Sequence, residues 1–278
     1  MSQKLIFCPS RFLSLRDTHP QASSWEAIVD EIKGPLHRDV TLHYRETLSK
    51  IRTLEGEGDT GNAENLKGYL RNMKMNQPAF VPSVCLEGGR SDRHITGYSG
   101  FIMGDIDGLE GDALYRAMHR LRQDKYAFLV HFTLSGCGIR VMVRVDAPVT
   151  KRNFLSVWKK VNAYYADLLG VPMDLQCKNA TRMSVICHDP DVLFRPDAEA
   201  FPVSDCAEES AAGGRRTVTV RMAEPVVRRL VEEDGARYEE HRHNDYICRC
   251  LYWMNRFGVK KQEAEKWALR VFADYEAV

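Results

Sequence analysis

The chain has 278 residues, 44% of them hydrophobic and 28% charged, which describes a folded protein with enough apolar material for a sizeable core and excludes a disordered or low-complexity chain. A formal net charge of +1 excludes a global attraction to polyanions, so any basic surface must be local. The eight cysteines (Cys8, Cys85, Cys137, Cys177, Cys187, Cys206, Cys248 and Cys250) show neither a CxxC pair nor zinc-ribbon spacing and read as reduced thiols.

In chain order, KLIFC (residues 4–8) reads as a short strand. The opening apolar run is too brief for a signal segment, and no stretch approaches the length of a membrane helix, so a cytoplasmic protein with no membrane partner is expected. SSWEAIVDEIKG reads as a helix capped by Ser24, with Trp25, Ile28, Val29 and Ile32 inward and Gly34 after its end. A helical or mixed stretch runs to about Leu54, and EGEGDTGNAEN reads as a polar, Gly-rich loop. The next segment begins as a basic amphipathic helix with Lys67, Arg71 and Lys74 at helical spacing. That pattern reads chiefly as a solvated face, with a nucleotide or nucleic-acid contact as the alternative.

FIMGDIDGL follows as a strand, EGDALYRAMHRLRQD as a helix, and YAFLVHFT as a buried strand. SGCGIRVMVRV is then a Gly-containing turn and an alternating strand, with Val141, Val143 and Val145 on one side and Arg140, Met142 and Arg144 on the other. A helix is expected from about Lys151 to Leu169, stopped by Gly170 and Pro172. Beyond it come an irregular segment, a strand at MSVIC, a polar loop, and a linker-like composition shift near Val203. The sequence ends in helices around PVVRRLVEEDG, DYICRCLYWMNRF and KKQEAEKWALRVFADYEAV.

Asp105 and Asp107 sit one residue apart on a predicted strand, which points both to one face with Cα atoms roughly 6.6 Å apart. Two such carboxylates repel unless a cation lies between them, and hard divalent ions prefer oxygen ligands, so magnesium or manganese is the natural occupant. Asp174, just past a helix stop, is the best third carboxylate; Asp146, Asp189 and Asp191 are rivals, with HDPD read as a surface turn. In SGCGIR, Ser135 offers a hydroxyl, while Gly136 and Gly138 let a backbone with exposed N–H groups approach phosphate oxygens. Arg140 offers a bidentate grip. Lys178 and Arg182 add positive charge: from Ser135 to Pro196 there are nine Lys or Arg against five Asp or Glu. Cys137 reads as incidental, and His131 as a satisfied structural histidine. Acids for metal beside bases for phosphate is the arrangement that nucleotidyl transfer requires.

The order of these motifs resembles the archaeo-eukaryotic primase superfamily, and more narrowly the VirE N-terminal or BT4734-like domain of Bacteroides mobile-element proteins. The resemblance covers residues 65 to 202. It implies an α+β primase-polymerase core, an RRM-like antiparallel sheet with an N-terminal α/β unit, over residues 1–202. A linker (203–216) and a small helical module (217–278) follow. It implies that Asp105, Asp107 and Asp174 hold Mg²⁺ or Mn²⁺, with no zinc expected. Ser135, Gly136, Gly138, Arg140 and Arg182 would hold an NTP or dNTP, and single-stranded DNA would be the template. Arg140 stands where that superfamily usually has histidine, and it cannot act as a neutral acid or base near pH 7. The expected function is therefore metal-dependent primase or polymerase chemistry in replication of a mobile element. A catalytically weak single-stranded DNA or nucleotide binding module is the alternative, and a two-metal nuclease a third reading. The chain ends inside a helical pattern, and relatives of this kind continue into a helicase-like region, so a longer natural protein with a helicase partner is expected.

Overall fold

The computed structural model describes residues 9–171, 177–206, 218–239 and 243–273, so the strand expected at residues 4–8 lies outside the described residues. The chain divides into two compact units, Met1–Glu209 and Ser210–Val278.

The first unit is α+β with antiparallel sheets. It opens with strands β1 (Ser10–Phe12) and β2 (Gln21–Ala22), followed by helix α1 (Trp25–Lys33). Ser24 caps α1 by accepting the Ala27 N–H at 3.0 Å, and Gly34 ends it, as its sequence predicts. Its inward face, Trp25, Ile28, Val29 and Ile32, is buried, each residue contributing about 1.5–3 kcal/mol.

Helices α2 (Arg38–Glu57) and α3 (Thr60–Met75) then form an antiparallel hairpin. Here the expected Gly-rich loop over residues 55–65 is corrected to a connection of two residues. Gly58, at φ +80°, caps the end of α2, and the Asp59 carboxylate accepts the Asn62 N–H at 3.1 Å to start α3. Gly56 and Gly61 sit inside the helices at about 1 kcal/mol each relative to alanine. The buried seam of Ile51, Ala63 and Leu70 outweighs that cost.

Strands β3 (Ala79–Val81), β4 (Val84–Leu86) and β5 (Ile95–Tyr98) follow, then β6 (Phe101–Asp107), α4 (Gly111–Gln123), β7 (Ala127–Phe132), β8 (Gly138–Arg144) and α5 (Phe154–Leu169). The expected start of α5 at Lys151 moves to Phe154, because Asn153 Oδ1 accepts the Thr150 N–H at 2.7 Å and holds a turn ahead of the helix. The expected strand at MSVIC contracts to β9 (Ser184–Val185). β10 (Leu193–Phe194) arises in what reads as a polar loop.

One sheet has the order β2-β1-β3-β9, a two-stranded ribbon pairs β4 with β5, and the sheet that carries the candidate site has the order β10-β7-β8-β6. In the last, β8 lies between β6 and β7 and runs antiparallel to both. The connection from β6 through α4 to β7 is therefore a split βαβ unit. One face of this sheet (Ile102, Ile106, Ile139, Val141, Val143) packs on Leu114, Met118 and Leu121 of α4 and on Trp158, Val161 and Tyr165 of α5. The opposite face begins apolar, with Phe101, Met103, Leu129 and Met142 against α1 and Phe80. Trp25 lies 4.7 Å from Phe101 and 5.1 Å from Phe128 between ring centroids.

The second unit holds helices α6 (Val220–Glu233), α7 (His243–Arg256) and α8 (Lys261–Val271) around Val227, Val231, Tyr246, Cys250, Met254 and Trp267. α6 starts five residues before Pro225, at Val220. The cost of a proline inside a helix, about 3 kcal/mol, is offset by the apolar stripe of Ala223, Val227 and Val231. No helix among the described residues is long and apolar enough to cross a membrane.

Candidate functional site

The face of the β10-β7-β8-β6 sheet that begins apolar beneath α1 turns polar toward the C-terminal ends of β6 and β7. Register makes the transition visible. Met103 pairs with Met142, then Asp105 with Arg140, then Asp107 with Gly138, and His131 of β7 flanks Arg140 from the other side. Period-two alternation alone puts Asp105, Asp107, Gly138 and Arg140 on one face, and the antiparallel register brings them side by side.

Asp105 is buried and forms an ion pair with Arg140, whose side chain is only 12% exposed. The Cys177 thiol donates to Asp105 Oδ2 at 3.0 Å. The other oxygen, Oδ1, is buried and accepts no hydrogen bond among the described residues. Asp107 at the strand end is exposed, and its carboxylate lies over Gly138. A Cβ at position 138 would sit 2.6 Å from Ile106 O and 2.7 Å from Asp107 Oδ1, which explains a glycine in mid-register.

A cleft of about 90 Å³ opens on this row, lined by Tyr44, Lys74, Asp107, Ser135, Arg140 and Arg182, with His131 and Thr133 beside them. Its cations come from three separate places, α3, β8 and the loop before β9. The Lys74 side chain reaches solvent, but protein crowds its ammonium. That burial, with Arg140 and Arg182 nearby, holds its pKa below the usual lysine value against the opposing pull of Asp107.

The turn over residues 133–138 is tied to itself. Gly136 N–H donates to Thr133 O at 2.9 Å, Cys137 N–H to Ser135 Oγ at 3.3 Å, and Thr133 N–H to Gly138 O at 2.9 Å. Gly136 has φ +71°, the left-handed conformation that a tight turn demands. The expectation that exposed amides here receive phosphate oxygens is corrected for Gly136 and Cys137, whose N–H groups are consumed by the turn. What faces the cleft is the Ser135 side chain and the cations around it. Arg45 of α2 clamps the same turn, donating to Leu134 O at 3.3 Å and Thr133 O at 3.2 Å, and Arg52 Nη2 lies 3.1 Å from Cys137 Sγ.

His131 is fully buried, its Nδ1 2.8 Å from Phe132 O and its Nε2 3.3 Å from Ser184 Oγ; burial lowers its pKa, so both ring nitrogens are satisfied by a neutral imidazole. Cys187, also buried, has its thiol pushed up to about 12 by burial and donates to Phe132 O at 3.3 Å. Asp189 is buried and accepts the Phe132 N–H at 2.8 Å, which fixes the end of β7; a surface turn at HDPD is thus corrected for Asp189. Asp146 accepts the Val203 N–H at 2.8 Å. Lys178 is exposed and does not line the cleft. Asp174 lies outside the described residues, and among the described residues no three His, Cys, Asp or Glu side chains gather in a metal-binding group.

The structure therefore brings Asp105, Asp107, Ser135, Gly138, Arg140 and Arg182 into one neighbourhood, with Gly136 shaping the turn. Sequence reasoning missed Tyr44 and Arg45, for which α2 offers no motif, and it gave Lys74 only as one of three helical cations. Of those three, Lys67 is occupied by Glu55 at 2.7 Å.

Residues 72–194 match the family described as BT4734-like, N-terminal domain, and the resemblance read from the motifs holds over this segment, which includes every cleft residue except Tyr44. Among solved structures, the chain is similar to the AEP domain of the cyanophage S-2L primase-polymerase (PrimPol). The two are 18% identical, with a TM-score of 0.32 over 45% of this chain and 65% of that one, less than two thirds of its length. No curated protein matches the chain.

Proposed function

We propose, taking residues 72–194 as a BT4734-like N-terminal domain, that the cleft binds a nucleoside triphosphate with a divalent cation and supports metal-dependent nucleotidyl transfer on a single-stranded DNA template. The observation that carries this reading is the row Asp107, Asp105, Arg140 in register, with Lys74 and Arg182 converging from other elements on the same cleft. The donor set suits Mg²⁺ or Mn²⁺. Asp105 Oδ1 is a buried carboxylate oxygen without a hydrogen-bond partner among the described residues, and Asp107 is a hard oxygen donor on the same face. When bound, the cation supplies charge neutralisation and orientation for a triphosphate and an attacking hydroxyl. The chain's own part is to hold phosphate oxygens with Lys74, Arg140 and Arg182 and to orient them through Ser135, in a cleft walled by Tyr44. Arg140 keeps its proton throughout and binds charge rather than moving protons.

A second reading, a nucleotide or single-strand binding module without synthesis, is favoured by the Asp105–Arg140 ion pair, which occupies one metal-facing carboxylate with a protein cation. One experiment separates the two. Synthesis is assayed on single-stranded DNA, with and without an annealed primer, using labelled NTPs or dNTPs and either metal. A protein carrying both Asp105→Ala and Asp107→Ala runs alongside. Product that disappears in the double variant supports the enzyme. Metal-dependent nucleotide binding without product supports the binding module, and neither product nor binding refutes both.

A further inference from the structure

Away from the cleft, a groove of about 690 Å³ runs along α4, lined by Tyr115, Arg116, His119, Arg120 and Arg122 of that helix and by Phe132 of β7. Its lining is predominantly basic. Some basic side chains of this unit are matched by acids, Arg11 with Glu31 at 2.8 Å, Arg52 with Glu110 at 2.6 Å and Lys125 with Glu199 at 2.7 Å, while others, Arg45 and Arg195 among them, donate to carbonyls. On α4 none of the three arginines pairs with a carboxylate among the described residues. Arg120 donates instead to the carbonyls of Leu168 at 3.1 Å and Leu169 at 3.2 Å, and Arg122 to the carbonyl of Asp191 at 2.6 Å. A carbonyl fixes a guanidinium in place without cancelling its charge. These cations are therefore both pre-oriented and uncompensated, the state that lowers the ordering cost of binding an anion. Among the described residues, Asp191 is the sole carboxylate residue lining the groove.

The second feature is aromatic. The Tyr115 ring is 69% exposed on a helix whose apolar face is already buried as Leu114, Ala117, Met118 and Leu121, so it contributes little to the core. An exposed ring beside a run of uncompensated guanidinia is what a flexible polyanion with stackable bases requires. Arg116 to Arg122 spans about 9 Å of helix axis, enough to meet two or three consecutive phosphates. We propose that the α4 groove binds a segment of single-stranded nucleic acid, with Arg116, Arg120 and Arg122 on the backbone and Tyr115 stacked on a base. This surface is distinct from the cleft and does not depend on chemistry there.

The test uses the full chain and a fluorescein-labelled oligo-dT in anisotropy titrations across a salt series, with inorganic polyphosphate as a base-free polyanion. Arg116→Glu and Tyr115→Ala are the informative variants, because both side chains are exposed and neither anchors a carbonyl. Arg116→Glu is expected to weaken oligo-dT binding on the order of tenfold and to reduce the slope of log affinity against log salt by about 0.7 for each phosphate that is no longer neutralised. Arg116→Lys should retain most of the binding. Tyr115→Ala is expected to weaken oligo-dT binding fivefold or more while leaving polyphosphate binding unchanged. Absence of oligo-dT binding by the wild type, or wild-type affinity and salt slope in both groove variants, overturns the proposal.

Discussion

Replacing Arg140 by methionine leaves Asp105 as a charged carboxylate in the middle of the sheet, with its side chain fully buried. Removing one partner of a buried ion pair costs about 3–5 kcal/mol, most of it the desolvation of the group left behind. The Cys177 thiol, 3.0 Å from Asp105 Oδ2, still donates a hydrogen bond, which places the expected loss at the lower end, about 3 kcal/mol. For a unit of this size that corresponds to a fall in Tm of roughly 6–12 °C. Urea denaturation followed by near-ultraviolet circular dichroism should show a lower midpoint at unchanged slope, since the surface exposed on unfolding is the same. Adding Asp105→Asn to Arg140→Met should recover most of the loss, because no charge then remains buried. Millimolar Mg²⁺ should raise the Tm of Arg140→Met more than that of the wild type, because the ion then has no guanidinium to displace. A loss under about 1 kcal/mol in the single variant, or a double variant no more stable than the single one, would refute the argument from a buried pair.

Gly138→Ala places a Cβ 2.6 Å from the Ile106 carbonyl oxygen, a backbone atom that cannot yield cheaply, so a loss of about 1–3 kcal/mol by urea denaturation and displacement of the Asp107 carboxylate are expected. Glu31 is held down to about 2: burial acts to raise it, but hydrogen bonds from His37 and Arg11 prevail. Its folded pKa lies below the unfolded one, so its contribution to stability is present above about pH 4.5 and is lost as the pH falls toward 2. Glu31→Gln should flatten that part of the acid unfolding curve, and an unchanged curve would contradict the assignment. Lys74→Met is expected to weaken triphosphate binding about tenfold by calorimetry. The depressed Lys74 pKa further predicts that wild-type affinity declines with rising pH before ordinary lysines titrate, a decline that Lys74→Met should lack. Asp59→Ala removes the cap of α3 and should cost about 1 kcal/mol, read as a shift in Tm.

Local pattern sufficed for much of this protein. The α1 cap and inward face, the strand that carries Asp105 and Asp107, and the alternation of β8 follow from residue spacing, because a helix or strand repeats its burial at a fixed period. The same spacing identified Asp105, Asp107, Ser135 and Arg140 as candidates, since each is conspicuous within its own short segment. It failed where two effects competed within a few residues. Three glycines between residues 56 and 61 read as a loop, yet only Gly58 takes the left-handed conformation that breaks a helix; the others are carried by the seam of the α2–α3 hairpin. It also gave β9 too many residues and missed β10, two-residue strands that exist only because longer partners, β3 and β7, offer them an edge.

Tertiary structure alone decided which charges meet. The sequence places Arg140 thirty-five positions after Asp105, and nothing in either segment says that antiparallel register sets one against the other. Arg45 and Lys74 enter the neighbourhood from helices with no motif of their own, and Lys67, two turns before Lys74 in the same basic run, is neutralised by Glu55. Periodicity is a property of the chain's own geometry and can be read along it. Charge pairing and desolvation depend on the distance between segments that only packing brings together.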